Sequence, residues 1–525
     1  AASRWFFDPF ALVEAAGRRA AEVLPAAFPS LFAGPAKPSV TVLAGSGNNA
    51  ADALVILRSL LLAGRAEAGK ALVIINKIPG QGERNPRSEA FRSLEKMGVG
   101  VFCTGTLPDP VPDEILRRAD LLIDGIAGTG LEGPLRGPLA GLVEQVNRLS
   151  AGGGKRPLVV AVDLPSGNSD CRKEGDPLLS AAATLAVEPG KFCLYDPAAR
   201  PRAGRILPVG GVFPGELVEK YRAAELVSWE QAASLIPPVK PDAYKHSRGL
   251  LEIRAGSPGA SGAARIAARG AQAAGAGLIR LVADPPIYEP LSANAGGIMV
   301  VPSVAGGEAL GIGAAPEGLS RFKPDALLLG PGWGKSPARR GILEEALALE
   351  ESGIPLILDA DAIGLAKGRL FHGRTLLTPH PGELAAYGDI PKEELLAHPA
   401  PFLLSLAREK NAVILFKTHV IFAAAPDGRL GLVDGMAPVL GAGGSGDLLA
   451  GFCAGIAARG RAAGGAAPPD LYGCALAAAA LLIRSAEDPL LAGRFTDPLE
   501  LADRAAAIAG SAWLPPSAAP GFSGE

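Results

Sequence analysis

The chain is poor in aromatic residues: 17 Phe, 6 Tyr and 4 Trp among 525. Single-strand nucleic-acid binders stack bases on aromatic rings and membrane barrels carry aromatic girdles, so both classes are disfavoured. An excess of one charge is also missing. Lys and Arg number 51 against 53 Asp and Glu, with no long basic block, so no nucleic-acid partner is expected. The five cysteines (Cys103, Cys171, Cys193, Cys453 and Cys474) lie far apart and form no CxxC pair. That favours neither a disulfide framework nor a zinc site and fits a reducing, cytoplasmic setting. The longest apolar run, Leu471 to Ile483, is interrupted by Gly473 and is too short for ~30 Å of hydrocarbon, so no membrane is expected. The segment Ala1 to Trp5 shows no charged stretch leading into an apolar one.

What is present is a large core: 48% hydrophobic residues and a mean hydropathy of +0.24. The 68 Gly and 47 Pro follow no G-X-Y period, which excludes collagen and points to tight turns and ligand-facing backbone. At ~150 residues per domain the length suggests about three domains. The pattern reduces these to two.

Short apolar runs alternate with helix-like segments, as in βα units of a mostly parallel sheet. A helix is expected over Ala11–Leu24, and strands at Val40–Ala44, Leu72–Asn76, Leu121–Asp124, Leu158–Asp163 and Ala183–Val187. A second series comprises Leu250–Arg254, Leu278–Val282, Ile298–Val301, Ala326–Leu329, Leu356–Asp359, Thr375–Thr378 and Val413–Lys417. Between the series, Phe213-Pro-Gly215, Ile236-Pro-Pro238 and Lys240-Pro-Asp242 punctuate the chain as a domain boundary does. Two α/β domains are expected, 1–222 and 223–525.

In the first, Val40–Ala44 runs through Gly45-Ser-Gly-Asn-Asn-Ala-Ala-Asp52 into a helix. A glycine turn at a helix N-terminus makes an anion site. Asp124 and Asp163 close two further strands, and C-terminal strand ends of a parallel sheet gather on one edge. Asn49, Asp124, Asp163 and Ser166 can therefore converge, offering oxygen ligands to a hard cation, with Asp163 able to move a proton. In the second, Gly441-Ala-Gly-Gly-Ser-Gly-Asp447 opens a helix whose N–H groups can hold a phosphoryl group, and Asp447 can accept a hydroxyl proton. Gly330-Pro-Gly-Trp-Gly334, the Asp359/Asp361 pair and Thr378-Pro-His-Pro-Gly-Glu383 agree. The Asp pair can serve metal or substrate, or form an Asx-turn.

These motifs, with Glu14-Ala-Ala-Gly17, Asp124-x-x-x-Gly-Thr-Gly130, Asp163-Leu-Pro-Ser-Gly167 and Ala183 to Lys191, resemble the NAD(P)H-hydrate epimerase domain over nearly all of 1–220. The Thr-Pro-His-Pro-Gly-Glu and Gly-Gly-Ser-Gly-Asp motifs resemble the NAD(P)H-hydrate dehydratase branch of the ribokinase-like superfamily, over roughly 245–460. The resemblance implies an N-terminal Rossmann-like three-layer αβα sandwich and a C-terminal ribokinase-like αβα domain. It also implies repair of hydrated NAD(P)H: R- and S-epimers interconverted by the first domain, and ADP-dependent dehydration of the S form, releasing AMP and phosphate, by the second.

By the same resemblance Asn48, Asn49, Ala50, Ala51 and Asp52, with Gly128, Thr129, Gly130, Leu131, Glu132, Gly133 and Pro134, contact the dinucleotide. Asn49, Asp124 and Ser166 would bind K+, and Asp163 would face the nicotinamide ring. Ala263, Gly334, His380 and Asp447 would contact hydrated NAD(P)H, while Lys417, Thr418, His419, Val420, Ile421 and Gly446 contact the nucleotide. ADP with Mg2+ is the implied cosubstrate, and NADHX and NADPHX are the substrates; a homo-oligomer is expected. The rival reading is a small-molecule kinase of the hydroxymethylpyrimidine-kinase type joined to a non-catalytic N-terminal binding or assembly domain.

Three stretches depart from the family pattern. Its Asn-Asn-Gly-Gly-Asp-Gly loop reads Asn48-Asn-Ala-Ala-Asp-Ala53, and alanine in left-handed angles costs ~1–2 kcal/mol, so a weakened or reshaped epimerase site is expected. Its Lys-Gly and His-Lys-Gly read Lys417-Thr418 and Lys245-His-Ser-Arg-Gly249, which bears on the nucleotide contacts.

Overall fold

The computed structural model describes residues 8–104, 111–236, 238–293, 295–305, 308–314, 323–464, 470–491 and 493–515. Ala1 to Trp5 and Pro237 lie outside them. The chain separates into two compact units, Ala1–Ala223 and Ala224–Glu525, and the break falls within the proline-punctuated stretch.

Unit 1 is built on seven parallel strands: β1 (Val40–Ala44), β2 (Ala71–Ile75), β3 (Gly100–Cys103), β4 (Leu121–Gly125), β5 (Leu158–Val162), β6 (Ala183–Val187) and β7 (Arg205–Val209). Their order is β3-β2-β1-β4-β5-β6-β7. The winding direction reverses between β1 and β4, which opens a crevice at their C-terminal ends. β1, β4 and β6 are buried along their whole length, as strands covered on both faces must be. Helices α1 (Pro9–Ala27) and α2 (Asn48–Leu62) pack together on one face. The edge strands β3 and β7 were not foreseen; both are half-exposed and carry glycine or proline, so the apolar signal is weak there.

Unit 2 contains β8 (Glu225–Leu226), β9 (Leu250–Arg254), β10 (Leu278–Ala283), β11 (Met299–Pro302), a small hairpin of β12 (Val304–Ala305) and β13 (Glu308–Ala309), β14 (Ala326–Leu329), β15 (Leu356–Leu358), β16 (Thr375–Leu377), β17 (Val413–Phe416), β18 (Val420–Ala424) and β19 (Leu430–Asp434). The main sheet runs β11-β10-β9-β14-β15-β16-β17-β18-β19-β8. It is parallel except that β18 is antiparallel to both neighbours. Every strand expected in this half is present within one or two residues, whereas β8, β12, β13, β18 and β19 are not among those expected.

The helices that position the second site are α3 (Ser261–Ala273), α4 (Ala338–Glu351), α5 (Asp361–Leu365), α6 (Pro381–Gly388), α7 (Ser445–Gly464) and α8 (Leu471–Ala486). The longest apolar run of the sequence is α8, a core helix buried almost all round. Among the described residues no helix is long and apolar enough to cross a membrane. Helices α3 and α7 meet backbone to backbone. A Cβ added at Gly451 would stand 2.2 Å from the Ala267 carbonyl oxygen, one at Gly455 2.5 Å from that of Ala271, and one at Gly270 2.7 Å from that of Leu448. Only glycine permits that approach, and it fixes the helix that begins at Ser445.

Candidate active sites

In unit 1 a cavity of about 410 Å³ lies at the crevice between β1 and β4. It is lined by Ser46 to Asn49, Asp52, Ile126 to Leu131, Leu135, Leu139 and Asp163. Helix α2 starts at Asn48 with Gly47 at its N-cap and no side-chain cap, so its first N–H groups have no intrahelical acceptor. The two glycine loops interlock: a Cβ on Gly45 would fall 1.8 Å from the Ile126 carbonyl oxygen, and one on Gly128 3.0 Å from Cγ of Asn49.

Asn49, Asp124 and Ser166, from three strand ends, come together. Asn49 Nδ2 donates to the Ala127 carbonyl at 2.9 Å, and the Ser166 hydroxyl donates to Asp124 Oδ1 at 2.5 Å. The Ser166 N–H reaches Asp124 Oδ2 at 2.8 Å, and the Ala127 N–H donates back to the Ser166 hydroxyl at 3.0 Å. Burial pushes Asp124 up to about 6, against the lowering hydrogen bonds from Ser166 and Ile126. No Lys or Arg pairs with it among the described residues. A buried carboxylate with hydroxyl and amide oxygens around it, and no second carboxylate, fits a monovalent hard cation better than a divalent one.

Asp163 follows β5 at φ 63°, a left-handed angle for a non-glycine residue. Lys191 Nζ donates to its Oδ1 at 2.6 Å and to the Val187 carbonyl at 2.8 Å. Burial raises the Asp163 carboxyl, while the Lys191 ammonium opposes the shift. Asp52 stands close enough to feel both charges. Burial first, then the Asp163 charge, lift it to about 8, and its Oδ1 is buried without a hydrogen-bond partner. One carboxyl is thus held protonated at neutral pH beside one paired with a lysine.

The expectation of a strained alanine loop is not met. Ala50 and Ala51 lie in the first turns of α2, fully buried and with ordinary helical angles, and neither lines the cavity. Alanine is the better helix former at such positions. The double variant Ala50→Gly/Ala51→Gly is therefore expected to lower stability by about 1–2 kcal/mol, checked by urea unfolding of the full chain. Glu132, Gly133 and Pro134 continue the loop past the cavity, with Glu132 exposed.

In unit 2, Asp359 closes β15 and is buried. Lys417 Nζ donates to its Oδ1 at 2.6 Å, and the Thr378 hydroxyl donates to the same oxygen at 2.7 Å. Asp447 sits in the first turn of α7 and faces this pair. Its carboxyl is pushed up to about 6 by burial and then by the Asp359 charge; the Lys417 ammonium works against this, and Glu383 adds to it. Burial disfavours the Lys417 ammonium, but the charges of Asp359, Glu383 and Asp447 outweigh it and hold the lysine above its ordinary range. Gly446 adjoins Lys417, since a Cβ there would lie 3.4 Å from Nζ.

His380 caps α6: its Nδ1 accepts from the N–H groups of Gly382 at 3.0 Å and Glu383 at 3.3 Å, leaving Nε2 3.3 Å from Glu383 Oε1. Gly334 donates its N–H to Asp361 Oδ2 at 2.8 Å, and Ala263 packs against the preceding Gly332. Thr418 bonds its own loop at Val420, and His419 follows it. Val420 and Ile421 are buried strand residues of β18, so only their backbone can face a ligand. Lys191 and Glu383 were not singled out as site residues. Lys191 ends Glu188-Pro-Gly-Lys, and only the fold brings it to Asp163.

Two α/β units, each gathering carboxylates and a lysine at the C-terminal edge of its sheet, define a class: enzymes that work on small molecules at sheet edges. The family profile for NAD(P)H-hydrate dehydratase matches residues 251–500, and that for the YjeF-related protein N-terminus matches 9–191. The bifunctional NAD(P)H-hydrate repair enzyme Nnr of Gloeobacter violaceus is 34% identical over 466 residues, covering 86% of this chain and 84% of that protein. Its Moorella thermoacetica counterpart is 29% identical, covering 90% and 88%. A solved ADP/ATP-dependent NAD(P)H-hydrate dehydratase from Bacillus subtilis is 24% identical, with a TM-score of 0.47 over 55% of this chain and 99% of that one. The chain belongs to the family of bifunctional NAD(P)H-hydrate repair enzymes.

Proposed function

We propose that unit 1 interconverts the R and S forms of hydrated NADH and NADPH, and that unit 2 dehydrates the S form at the expense of ADP. The observation that carries the second activity is Asp447, partly buried at the start of α7 and facing the Lys417–Asp359 pair. Asp447 takes the proton from the ring hydroxyl as its oxygen attacks the terminal phosphorus of ADP, and AMP leaves. Inorganic phosphate then leaves from the carbon beside the ring nitrogen, and the neighbouring ring carbon gives up a proton to solvent, which restores the ring double bond. Lys417 and the N–H groups at the start of α7 stabilise the charge on the phosphoryl oxygens. Mg2+ would arrive on the phosphates of the nucleotide. Bound there, it would neutralise phosphate charge.

In unit 1, inverting a carbon that bears both a hydroxyl and the ring nitrogen requires one bond to break and reform on the other face. A proton must be delivered and recovered. Asp52, held protonated, and Asp163, paired with Lys191, supply the two functions. Asn49, Asp124 and Ser166 would hold K+, which would neutralise the buried Asp124 and stiffen the loop carrying Ala127.

The test incubates the full chain with S-NADHX and ADP or ATP and follows the returning absorbance of reduced nicotinamide. No return with either nucleotide would refute the dehydratase. A base must be ionised to accept a proton. Because the folded Asp447 titrates near 6, dehydratase kcat/KM is expected to fall about tenfold per pH unit below about pH 6. A profile flat down to pH 4.5, about 1.5 units lower, would remove Asp447 as the base.

A further inference from the structure

Beside the unit 2 site lies a second cavity, of about 540 Å³, lined by Lys335, Ser336, Pro337, Arg340, Asp361 and Leu365. It opens between the loop that follows β14 and the turn that follows β15, two neighbouring parallel strands. That turn links it to the reacting centre. Asp359 faces Lys417 and Asp447, whereas Asp361 faces Gly334 and the cavity. Ala360 between them takes φ 48° and ψ −121°, an angle pair costly for alanine, and so aims successive carboxylates at two different places. The Cα atoms of Asp359 and Asp361 can be no more than ~7 Å apart, a distance a dinucleotide easily spans.

The charges of the cavity are unbalanced. Neither Lys335 nor Arg340 has an ion-pair or hydrogen-bonding partner for its side chain among the described residues. The adjacent Arg339, by contrast, pairs with Asp284 at 2.5 Å and stacks on Trp333 at 5.0 Å. The one carboxylate in the lining, Asp361, is engaged by the Gly334 N–H. Two cations without partners among the described residues, set in a concave site of ligand size, make an anion receptor, and arginine with lysine is the pair that phosphate selects.

We infer that Lys335 and Arg340 form a phosphate subsite of the dehydratase, which holds the phosphate-bearing portion of hydrated NAD(P)H while its ring lies at Asp447. This rests on the dehydratase reading above. The phosphate is either the pyrophosphate, common to both substrates, or the 2′-phosphate, carried by NADPHX alone.

The test is steady-state kinetics of the full chain with S-NADPHX and S-NADHX, comparing wild type with Lys335→Ala/Arg340→Ala. An increase in KM of about tenfold or more for NADPHX, with kcat held within about threefold, is expected. An equal increase for NADHX assigns the pyrophosphate, and an unchanged NADHX value assigns the 2′-phosphate. The charge-keeping Lys335→Arg/Arg340→Lys variant should restore most of the loss. An unchanged KM for both substrates overturns the subsite, as does a change confined to the KM of ADP. A wild-type protein inactive on both substrates refutes the dehydratase reading itself, which separates the two failures.

Discussion

Replacing Asp447 with Asn is expected to lower the ADP-dependent recovery of reduced nicotinamide by about 10²–10⁴-fold, the usual contribution of a positioned general base. Asparagine keeps the shape and can still accept hydrogen bonds at the start of α7, so the helix should persist. The base is lost, and with it one of the negative charges that hold Lys417 above its ordinary range. Nucleotide affinity should therefore be retained, or strengthen slightly, when titrated calorimetrically with ADP. A large loss of affinity alongside the loss of rate would give Asp447 a structural role instead. The retained ADP titration itself reports correct folding of unit 2, and the epimerase activity, measured with R-NADHX, standardises the amount of protein.

Asp163→Asn is the converse experiment, with an expected 10²–10⁴-fold loss of epimerisation and unchanged dehydration of S-NADHX. The informative companion is Lys191→Met. With the ammonium gone, the opposing influence on Asp163 disappears while burial remains, so its carboxyl titrates still higher. A base with a raised pKa is ionised only at higher pH. The acid limb of the epimerase profile should therefore move to higher pH, with partial activity recovered on the alkaline side. A uniform loss at all pH values would mean that Lys191 acts on substrate binding rather than on Asp163.

How far the sequence reveals all this differs from element to element. Strand-terminal motifs are legible because a buried parallel strand is a short apolar run and its functional residue comes directly after it; Asp124, Asp163 and Asp359 were found in that way. The edge strands β3 and β7 were not, since half-exposed strands lose the apolar run. The β18–β19 hairpin is hidden for a different reason: its apolar run begins three residues after Lys417 and merges with that of β17. Ala50 and Ala51 stand where the family pattern has glycine, yet these positions are plain helix and demand no unusual backbone angles. Lys191 and the outward turn of Asp361 lay beyond sequence reasoning. The first depends on β5 and β6 lying side by side, and the second on one positive φ at Ala360.

The contact between α3 and α7 has a further implication for how this protein can change. Where helices touch through side chains, a new residue can be absorbed by a neighbour adopting another rotamer. At Gly270, Gly451 and Gly455 the facing atoms are carbonyl oxygens, which have no rotamers. Variation in the helix that carries Asp447 is thereby shut off as a route to new specificity. Drift in substrate or nucleotide choice is channelled into the loops after β14, β15 and β17, which can lengthen or change charge without disturbing the helix pair beneath them.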